Sequence, residues 1–563
     1  MNAPRPPGGE HRPAAPDSRK RAPSAHVDTF ARDHLPPPDQ WPEFRFETPA
    51  LQYPPLLNCG RELLDAAVAE GYGDRVALVS DAERVSYAEL LERSNRIANV
   101  LVHDLKVVPG NRVLLRSPNS PMLVAAWLAV VRAGAIAVTT MPMLRAKELV
   151  QIATKAEVDV ALCDARLFTE LEQAARETGR LNRILTWGDG RLETAMQAQS
   201  PTFEPVATAS DDTCVIAFTS GTTGKPKATM HFHRDVLAMA EVVGGDLLET
   251  RPGDVFTGSP PLGFTFGLGA LLAFPLKFRA TTALVEQPTP ENLLAAIERH
   301  GVTCLFTAPT MFRVLAGLVA GRNLASLTRA VSAGEPLPAT TSDLWHKATG
   351  LRLIDGIGAT EMMHIFIAAK GADVRPGSTG RPLRGYEAVV LDEHGRPAAA
   401  GVVGRLAVRG PTGCRYLDDP RQAEYVVAGW NITGDRYLVD ADGYFWFQSR
   451  ADDMIVSSGY NIAGPEVEGA LLGHPAVREV AVVGAPDPER GQVVKAFVVV
   501  ASGHAPGPEL VRALQDFVKA TVAPYKYPRL VEFVEQLPKT PTGKVQRHVL
   551  RQQAQSPRPV STP

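Results

Sequence analysis

Cysteine is scarce in this chain of 563 residues, which contains only Cys59, Cys163, Cys214, Cys304 and Cys414. The five are far apart and form no CxxC pair, which excludes a zinc knuckle and a thioredoxin-like motif. A net charge of one sign is also missing, because 59 basic residues balance 61 acidic ones almost completely. Bulk charge therefore predicts neither a nucleic-acid partner nor an anionic membrane partner.

Long hydrophobic runs are absent from the N-terminal half. The apolar run Met122–Val131 ends at Arg132 and is too short to span a bilayer. The first residues contain prolines and arginines without an apolar core, so no secretory signal is expected. Scattered cysteines and an ordinary composition, 45% hydrophobic and 21% charged, predict a cytoplasmic protein.

Both chain ends look different from the middle. Residues 1–45 are rich in Pro, Arg, Ala and Gly, and such a segment buries too little apolar surface to offset its ordering entropy. We expect a disordered tail there, and a second loose tail over residues 554–563.

Strand-like and helix-like segments alternate between the tails. The run Arg112–Leu115 reads as a buried strand, and two helix starts are marked by a hydroxyl cap followed by proline, at Ser120–Pro121 and Thr289–Pro290. This alternation predicts the α/β class, with βαβ-built sheets flanked by helices in a large domain over residues 46–451. A composition change near residue 450 predicts a small α+β domain over residues 452–553.

The sharpest chemical signal is TSGTTGKPK, residues 219–227, directly after the strand-like run Val215–Phe218. Glycines allow close backbone approach, and N–H groups, hydroxyls and ammonium groups all bind phosphate oxygens. The segment is not a Walker A loop, because only two residues separate Gly221 from the Gly224-Lys225 pair and Pro226 follows. A P-loop kinase or NTPase is thereby disfavoured.

TSGTTGKPK resembles the phosphate-loop signature of the acyl-adenylate-forming superfamily, which includes acyl- and aryl-CoA ligases, luciferases and peptide-synthetase adenylation domains. Further blocks resemble the family in the same order: SAGEPLP (332–338), DGIGATEM (355–362), ITGDRY (432–437), SRADDMIVSSGYNI (449–462) and LPKTPTGKVQR (537–547). The resemblance spans roughly residues 46–550. It implies ATP, Mg²⁺ and the co-substrate coenzyme A.

The resemblance also implies roles for individual residues. The triphosphate would be held by Thr219, Ser220, Gly221, Thr222, Thr223, Gly224 and Lys227. Glu361 would bind Mg²⁺, since a hard cation prefers carboxylate and phosphate oxygens, and Thr360 would touch the α-phosphate. Adenine would be bordered by Gly334, Glu335 and Pro336. The ribose hydroxyls would be held by Asp435 and Arg450.

Lys544 would be the catalytic lysine of the first step, in which a carboxylate attacks the α-phosphate. Two anions repel each other, and one ammonium group about 4 Å away offsets about 4 kcal/mol at an effective dielectric near 20. In the second step a thiol attacks the acyl-adenylate. The resemblance implies that the small C-terminal domain is mobile and rotates between the two steps, and Asp452 matches the family's hinge position. Gly459 matches a glycine beside the pantetheine tunnel. Ser449 departs from the family, which usually has glycine there.

The acid pocket is predicted from two further blocks. Phe264 and Phe266 lie in SPPLGFTFGLG, where the family has an aromatic residue at the acyl pocket, although two core phenylalanines would give the same pattern. His364 and Ile365 lie three and four residues after Glu361 and would face the acid. These blocks look most like those of benzoate and 2-aminobenzoate CoA ligases.

The sequence therefore predicts a ligase that converts an aromatic acid to an acyl-adenylate and then to its CoA thioester, with release of pyrophosphate and AMP. The partners would be a small aromatic acid and coenzyme A, and the chain would be a monomer or a homodimer. Three alternatives stay open: loading of a separate carrier protein, a medium-chain acyl-CoA ligase, and a nucleotide-binding regulator without turnover. Fold alone does not decide among them.

Overall fold

The structure is a computed structural model that describes residues 22–219, 226–450, 453–457, 460–487, 490–522, 524–540 and 543–555. In this part of the chain the strands are β1 (Val76–Val79), β2 (Arg84–Ser86), β3 (Arg112–Arg116), β4 (Ile136–Thr140), β5 (Val160–Asp164), β6 (Arg183–Trp187), β7 (Thr213–Thr219), β8 (Lys227–Phe232), β9 (Val255–Gly258), β10 (Thr281–Ala283), β11 (Cys304–Thr307), β12 (Arg329–Ser332), β13 (Ile354–Gly358), β14 (Ile365–Ala368), β15 (Arg381–Pro382), β16 (Glu387–Leu391), β17 (Gly404–Arg409), β18 (Val426–Val427), β19 (Trp430–Val439), β20 (Phe445–Arg450), β21 (Met454–Ser457), β22 (Tyr460–Ala463), β23 (Val477–Asp487), β24 (Gly491–Val500) and β25 (Leu530–Phe533).

The α-helices of the described residues are α1 (Phe30–Asp33), α2 (Tyr87–Asn99), α3 (Pro121–Arg132), α4 (Ala146–Lys155), α5 (Phe168–Thr178), α6 (Arg191–Ala198), α7 (His233–Met239), α8 (Thr265–Leu268), α9 (Phe274–Lys277), α10 (Pro290–His300), α11 (Pro309–Ala316), α12 (Ala339–Thr349), α13 (Gln422–Tyr425), α14 (Gly464–Leu472), α15 (Pro508–Thr521) and α16 (Arg547–Gln555). None of these helices combines the length and the apolar composition that a membrane crossing requires.

Two mainly parallel sheets form the body of the large domain. One has six strands in the order β6-β5-β3-β4-β7-β8, and the other has nine in the order β15-β14-β13-β12-β11-β9-β10-β1-β2. Antiparallel pairs occur at the ends, where β7 meets β8, β1 meets β2, and β13, β14 and β15 meet. Helices cover the sheets, which confirms the predicted α/β class.

Local sequence signals explain several of these elements. Ser120 caps α3 by accepting a hydrogen bond from the Leu123 N–H at 3.2 Å, and Pro121 is the first helical residue. Gly134 then has φ +70°, a conformation that favours glycine, and turns the chain into β4.

A third sheet was not predicted. Strands β16, β17, β19 and β18 form it in that order, with β20 pairing β19, and its pairs are antiparallel. It precedes the C-terminal α+β unit, whose sheet has the order β22-β21-β24-β23 with β25 beside β24. The smaller α+β unit is confirmed, while the exact domain limits at 46, 451 and 553 stay predictions.

The prediction of a disordered tail over residues 1–45 is wrong for residues 22–45. Asp28 forms an ion pair with the buried Arg112, and the Trp41 ring lies 5.9 Å from that of Phe232. A few aromatic and charged anchors therefore order a segment whose composition resembles that of a tail.

Residues 1–21 lie outside the described residues. At the other chain end, α16 extends through residues 554–555 of the expected tail, and residues 556–563 also lie outside the described part.

Candidate active site

The ends of the phosphate-loop segment meet at the edge of the six-stranded sheet. Thr219 ends β7 and lies opposite Lys227, which begins β8. Lys227 turns inward, since its Nζ donates a hydrogen bond to the Tyr416 hydroxyl at 3.1 Å and lies 5.0 Å from the centre of that ring. The predicted phosphate-binding residues Ser220, Gly221, Thr222, Thr223 and Gly224 lie outside the described residues.

Glu361 lies in a 3-10 turn, Thr360–Met362, that follows β13. The Tyr416 hydroxyl donates to Glu361 Oε1 at 2.5 Å. Burial, followed by the charge of Glu361, raises the pKa of Tyr416 far above its usual value, so the hydroxyl remains a donor. Lys227, Tyr416 and Glu361 thus form one hydrogen-bonded chain, and Tyr416 was missed because it lies in none of the recognised blocks.

The donor set at Glu361 fits a hard cation. Its carboxylate is half-buried and, among the described residues, only Oε1 has a hydrogen-bond partner, Tyr416. A carboxylate oxygen is a ligand that Mg²⁺ prefers.

Asp435 and Arg450 face each other on neighbouring antiparallel strands, β19 and β20. Arg450 Nη1 donates to Asp435 Oδ1 at 2.8 Å, and Asp435 is buried. The Asp435 charge is the main cause that raises the pKa of Arg450 above its usual value. Ser449, at the position where the family has glycine, is fully buried with its hydroxyl 3.9 Å from Met454 Sδ, so the larger residue is accommodated.

Lys544 reaches this region from the C-terminal unit. Lys544 Cε lies close to Gly334, which has φ +92°: a Cβ atom added to this glycine would be 3.9 Å from Lys544 Cε. Glu335 and Pro336 follow Gly334 after β12, at the same edge. The structure therefore brings the predicted catalytic lysine beside the predicted adenine segment, although the two are far apart in the sequence.

The charges around Lys544 are mixed. The Lys544 side chain is exposed to solvent, although other parts of the protein lie around it. Loss of solvation, followed by the charge of Arg450, lowers the pKa of Lys544, and Glu335, Asp435 and Glu361 act in the opposite direction. The ammonium group is thus placed among the predicted nucleotide ligands.

Asp355 is a second residue that the sequence analysis missed, although it begins DGIGATEM. It lies on β13 directly opposite Ser332 on β12, two residues before Gly334. Burial raises its pKa to about 7, and the Ser332 hydroxyl and the Gly356 N–H act in the opposite direction. An acid at this place is mostly neutral at mildly acidic pH.

The predicted pocket residues are only partly brought together. The buried His364 donates from Nε2 to the Phe266 carbonyl oxygen at 3.3 Å, and the two rings are 5.5 Å apart. Phe274, which the sequence analysis missed, packs edge-on against His364 at 4.8 Å. The described ring contacts of His364 do not include Phe264, which is half-buried just before α8.

Burial lowers the pKa of His364 to about 3, so the imidazole is neutral at physiological pH. Its position is tightly constrained, since a Cβ on Gly269 would lie 2.5 Å from His364 Cδ2. Ile365 is buried against Gly356. Among the described residues, His364 Nδ1 has no hydrogen-bond partner. This nitrogen is therefore an unpaired acceptor beside the rings of Phe266 and Phe274.

Asp452 and Gly459, predicted at the hinge and the thiol tunnel, lie outside the described residues. The roles of the remaining predicted residues stay predictions. The structure does bring several of them close to one another: Lys227, Glu361, Asp435, Arg450 and Lys544.

Comparison with known proteins identifies two family matches. The AMP-binding enzyme model matches residues 65–415, and the AMP-binding enzyme C-terminal domain model matches residues 466–544. The benzoate–CoA ligase of Thauera aromatica is 34% identical over 515 residues, which is 89% of this chain and 97% of that protein.

Two solved structures are similar in fold and sequence. The anthranilate CoA ligase AuaEII in complex with anthranoyl-AMP superposes with a TM-score of 0.87 at 33% identity, over 90% of this chain and 99% of that one. A benzoate CoA ligase from Burkholderia xenovorans LB400 gives a TM-score of 0.80 at 32% identity, over 88% and 100%.

Proposed function

The chain belongs to the AMP-binding enzyme family, and from this membership we propose that it is an AMP-forming aryl-CoA ligase for 2-aminobenzoate or benzoate. The observation that carries the proposal is the position of Lys544, which lies beside Gly334 and close enough to Glu361, Asp435 and Arg450 to interact with their charges. Its ammonium group supplies the positive charge that offsets the repulsion between two reacting anions. The relatives named above act on aromatic acids.

In the first reaction a carboxylate oxygen of the acid attacks the α-phosphorus of ATP. The bond from this phosphorus to pyrophosphate breaks, and an acyl-adenylate forms. The ammonium group of Lys544 offsets the charge that gathers between the two reactants, which is the kind of placed donor that contributes about 3–4 kcal/mol. Lys227 would bind the departing phosphates, while Asp435 and Arg450 would hold the ribose.

Glu361 would hold Mg²⁺, which when bound supplies positive charge to the phosphate oxygens. The Tyr416 hydroxyl keeps the carboxylate oriented by donating to Oε1. In the second reaction the sulfur of coenzyme A attacks the acyl carbonyl carbon, the bond to AMP breaks, and the thiol proton passes to solvent.

The aromatic surrounding of His364 supports the choice of acid. Phe266 and Phe274 pack their rings against His364, and the neutral imidazole keeps Nδ1 as a hydrogen-bond acceptor. An ortho-amino group on a benzoate ring is a matching hydrogen-bond donor, which favours 2-aminobenzoate over a straight aliphatic acid.

The test is pyrophosphate release with Mg·ATP and a panel of acids: benzoate, 2-aminobenzoate, 4-hydroxybenzoate, cinnamate, hexanoate and octanoate. Each is run with and without coenzyme A, and products are identified by mass. We expect thioester formation with 2-aminobenzoate or benzoate. Turnover of aliphatic acids alone contradicts the aromatic assignment, and adenylate without CoA-dependent product favours loading of a carrier protein.

Lys544→Ala tests the catalytic assignment. Loss of the placed ammonium group is expected to lower the rate of adenylate formation by roughly 10²–10³-fold while ATP still binds. Lys519→Ala is the matched control, since Lys519 lies on α15 and pairs with Asp516 on the surface. Unchanged turnover in Lys544→Ala would show that Lys544 is not the catalytic lysine, whereas a wild-type chain that binds ATP without releasing pyrophosphate would favour a non-catalytic regulator over the proposed enzyme.

A further inference from the structure

Three charged or polar side chains lie behind the Glu361 turn and belong to none of the recognised blocks. His231 is near the end of β8, Asp235 is in the first turn of α7, and Arg415 precedes Tyr416. All three are completely inaccessible to solvent. Burying such groups is costly unless each is paired, so a cluster of this kind calls for an explanation.

His231 contacts the turn directly. Its Nε2 lies 2.8 Å from the Thr360 carbonyl oxygen, and because a carbonyl only accepts, Nε2 carries the hydrogen and donates it. On the other side of the ring, Nδ1 lies 3.7 Å from Asp235 Oδ2, which is an electrostatic contact and too long for a hydrogen bond. The imidazole thus bridges α7 and the turn.

Asp235 and Arg415 hold this arrangement from behind. Asp235 Oδ2 accepts a hydrogen bond from the Phe232 N–H at 3.0 Å and forms an ion pair with Arg415, whose guanidinium lies 3.8 Å from the centre of the Phe232 ring. Burial alone would raise the pKa of Asp235, but the charge of Arg415 and the nearness of His231 outweigh burial and keep it below the usual value. Asp235 is therefore a fixed anion beside the ring.

The turn that carries Glu361 is held by three contacts from two other segments of the chain, the loop after β17 and the strand β8. Thr412 Oγ1 donates to the Met362 carbonyl oxygen at 2.7 Å, Tyr416 donates to the Glu361 carboxylate, and His231 donates to the Thr360 carbonyl. Of the three, the His231 contact is made to the backbone of Thr360, the residue expected at the α-phosphate. Its loss would leave the Met363 N–H, 3.1 Å away, as the remaining described donor to the Thr360 carbonyl oxygen.

We infer that His231 is a positioning residue for adenylate formation: its Nε2–H fixes the Thr360 carbonyl and thereby orients the Thr360 hydroxyl and the Glu361 carboxylate toward the triphosphate. The inference rests on the proposed function. A displacement of about 1 Å at a reacting group can cost about a hundredfold in rate, so a contact that acts only through the backbone is sufficient for a large effect.

Three substitutions separate positioning from packing. His231→Gln keeps a side-chain N–H at nearly the reach of Nε2, whereas His231→Asn is polar but too short, and His231→Leu fills the space without a donor. The matched control is His34→Leu, because His34 Nδ1 makes a contact of the same length, 2.8 Å, to the Phe30 carbonyl oxygen of α1 and not to the turn. The two amide variants decide the question if the leucine variant does not fold.

Each variant is assayed for adenylate formation by ATP–pyrophosphate exchange, for thioester formation from supplied aroyl-adenylate, and for thermal unfolding. We expect His231→Asn and His231→Leu to lower kcat of adenylate formation by about tenfold to a hundredfold with KM for the acid unchanged. Thioester formation stays within about twofold of wild type, and His231→Gln recovers most of the lost rate.

Several results overturn the inference. Wild-type exchange rates in His231→Asn do so, and so does an equal loss in both half-reactions that follows the fall in unfolding temperature, or a glutamine variant as slow as the asparagine variant. A wild-type chain that forms no adenylate with any acid overturns the proposed function and this inference with it. Wild-type turnover together with unaffected variants overturns the inference alone.

Discussion

Asp355 shows how one side chain links the site to the stability of the fold. Burial raises its pKa from 3.8 to about 7, so between these values the folded chain binds more protons at this residue than the unfolded chain. By linkage, the free energy of unfolding then falls as pH rises through this window, by at most about 1.4 kcal/mol per pH unit. Asp355→Asn removes the titration and keeps the size of the side chain.

We therefore expect the stability of Asp355→Asn relative to wild type to increase by about 2 kcal/mol between pH 5 and pH 6.5. Urea unfolding of both proteins at these two pH values is the measurement. Asp74→Asn, at an exposed position, is the control and is expected to show no such trend. A pH-independent difference between Asp355→Asn and wild type would show that Asp355 is not held neutral by burial.

Helices with local start signals are the elements that the sequence predicts best. The hydroxyl-proline pairs at Ser120 and Thr289 mark the starts of α3 and α10 because a cap and its N–H partner are three residues apart. The antiparallel sheet of β16 to β20 was missed although its paired strands are close in sequence, because the alternation of strands and helices was extended over the whole large domain. Tyr416 and Phe274 were missed from the site because their contacts with Glu361 and His364 are set by folding and not by a motif.

The cap of α10 also permits a test at the level of the element. Thr289 Oγ1 accepts the Asn292 N–H at 3.2 Å, and the helix buries Leu293, Leu294 and Ile297 below it. Thr289→Ala is expected to lower the free energy of unfolding by about 1 kcal/mol, while Thr289→Ser stays near wild type. Chemical denaturation gives both values, and turnover should not change because α10 contributes none of the site residues. Equal losses in both variants would mean that the methyl group, and not the cap, stabilises this helix.

The N-terminal segment 22–45 ties distant parts of the large domain together. Asp28 forms an ion pair with Arg112 on β3, and the Trp41 ring packs against Phe232. The Glu43 N–H donates a hydrogen bond of 2.8 Å to the Gly429 carbonyl oxygen. The composition of the segment did not predict this packing, because the few residues that make these contacts stand among many prolines and arginines. Its packing near β8 also places it behind the strand that carries Lys227 and His231.

Removal of residues 1–45 is therefore expected to destabilise the whole large domain, whereas removal of residues 1–21 keeps every contact described here. The first truncation exposes Phe232 and leaves Arg112, only 7% exposed in the intact fold, without its carboxylate, and breaking such a pair costs about 3 kcal/mol or more. Asp28→Ala alone should produce part of this loss, because Arg112 keeps its hydrogen bonds to the Ala156 and Glu157 carbonyl oxygens. Thermal unfolding and pyrophosphate release, measured on both truncations and on Asp28→Ala, test the expectation. Should the chain that begins at residue 46 unfold at the same temperature as the chain that begins at residue 22, the segment covers the domain without stabilising it.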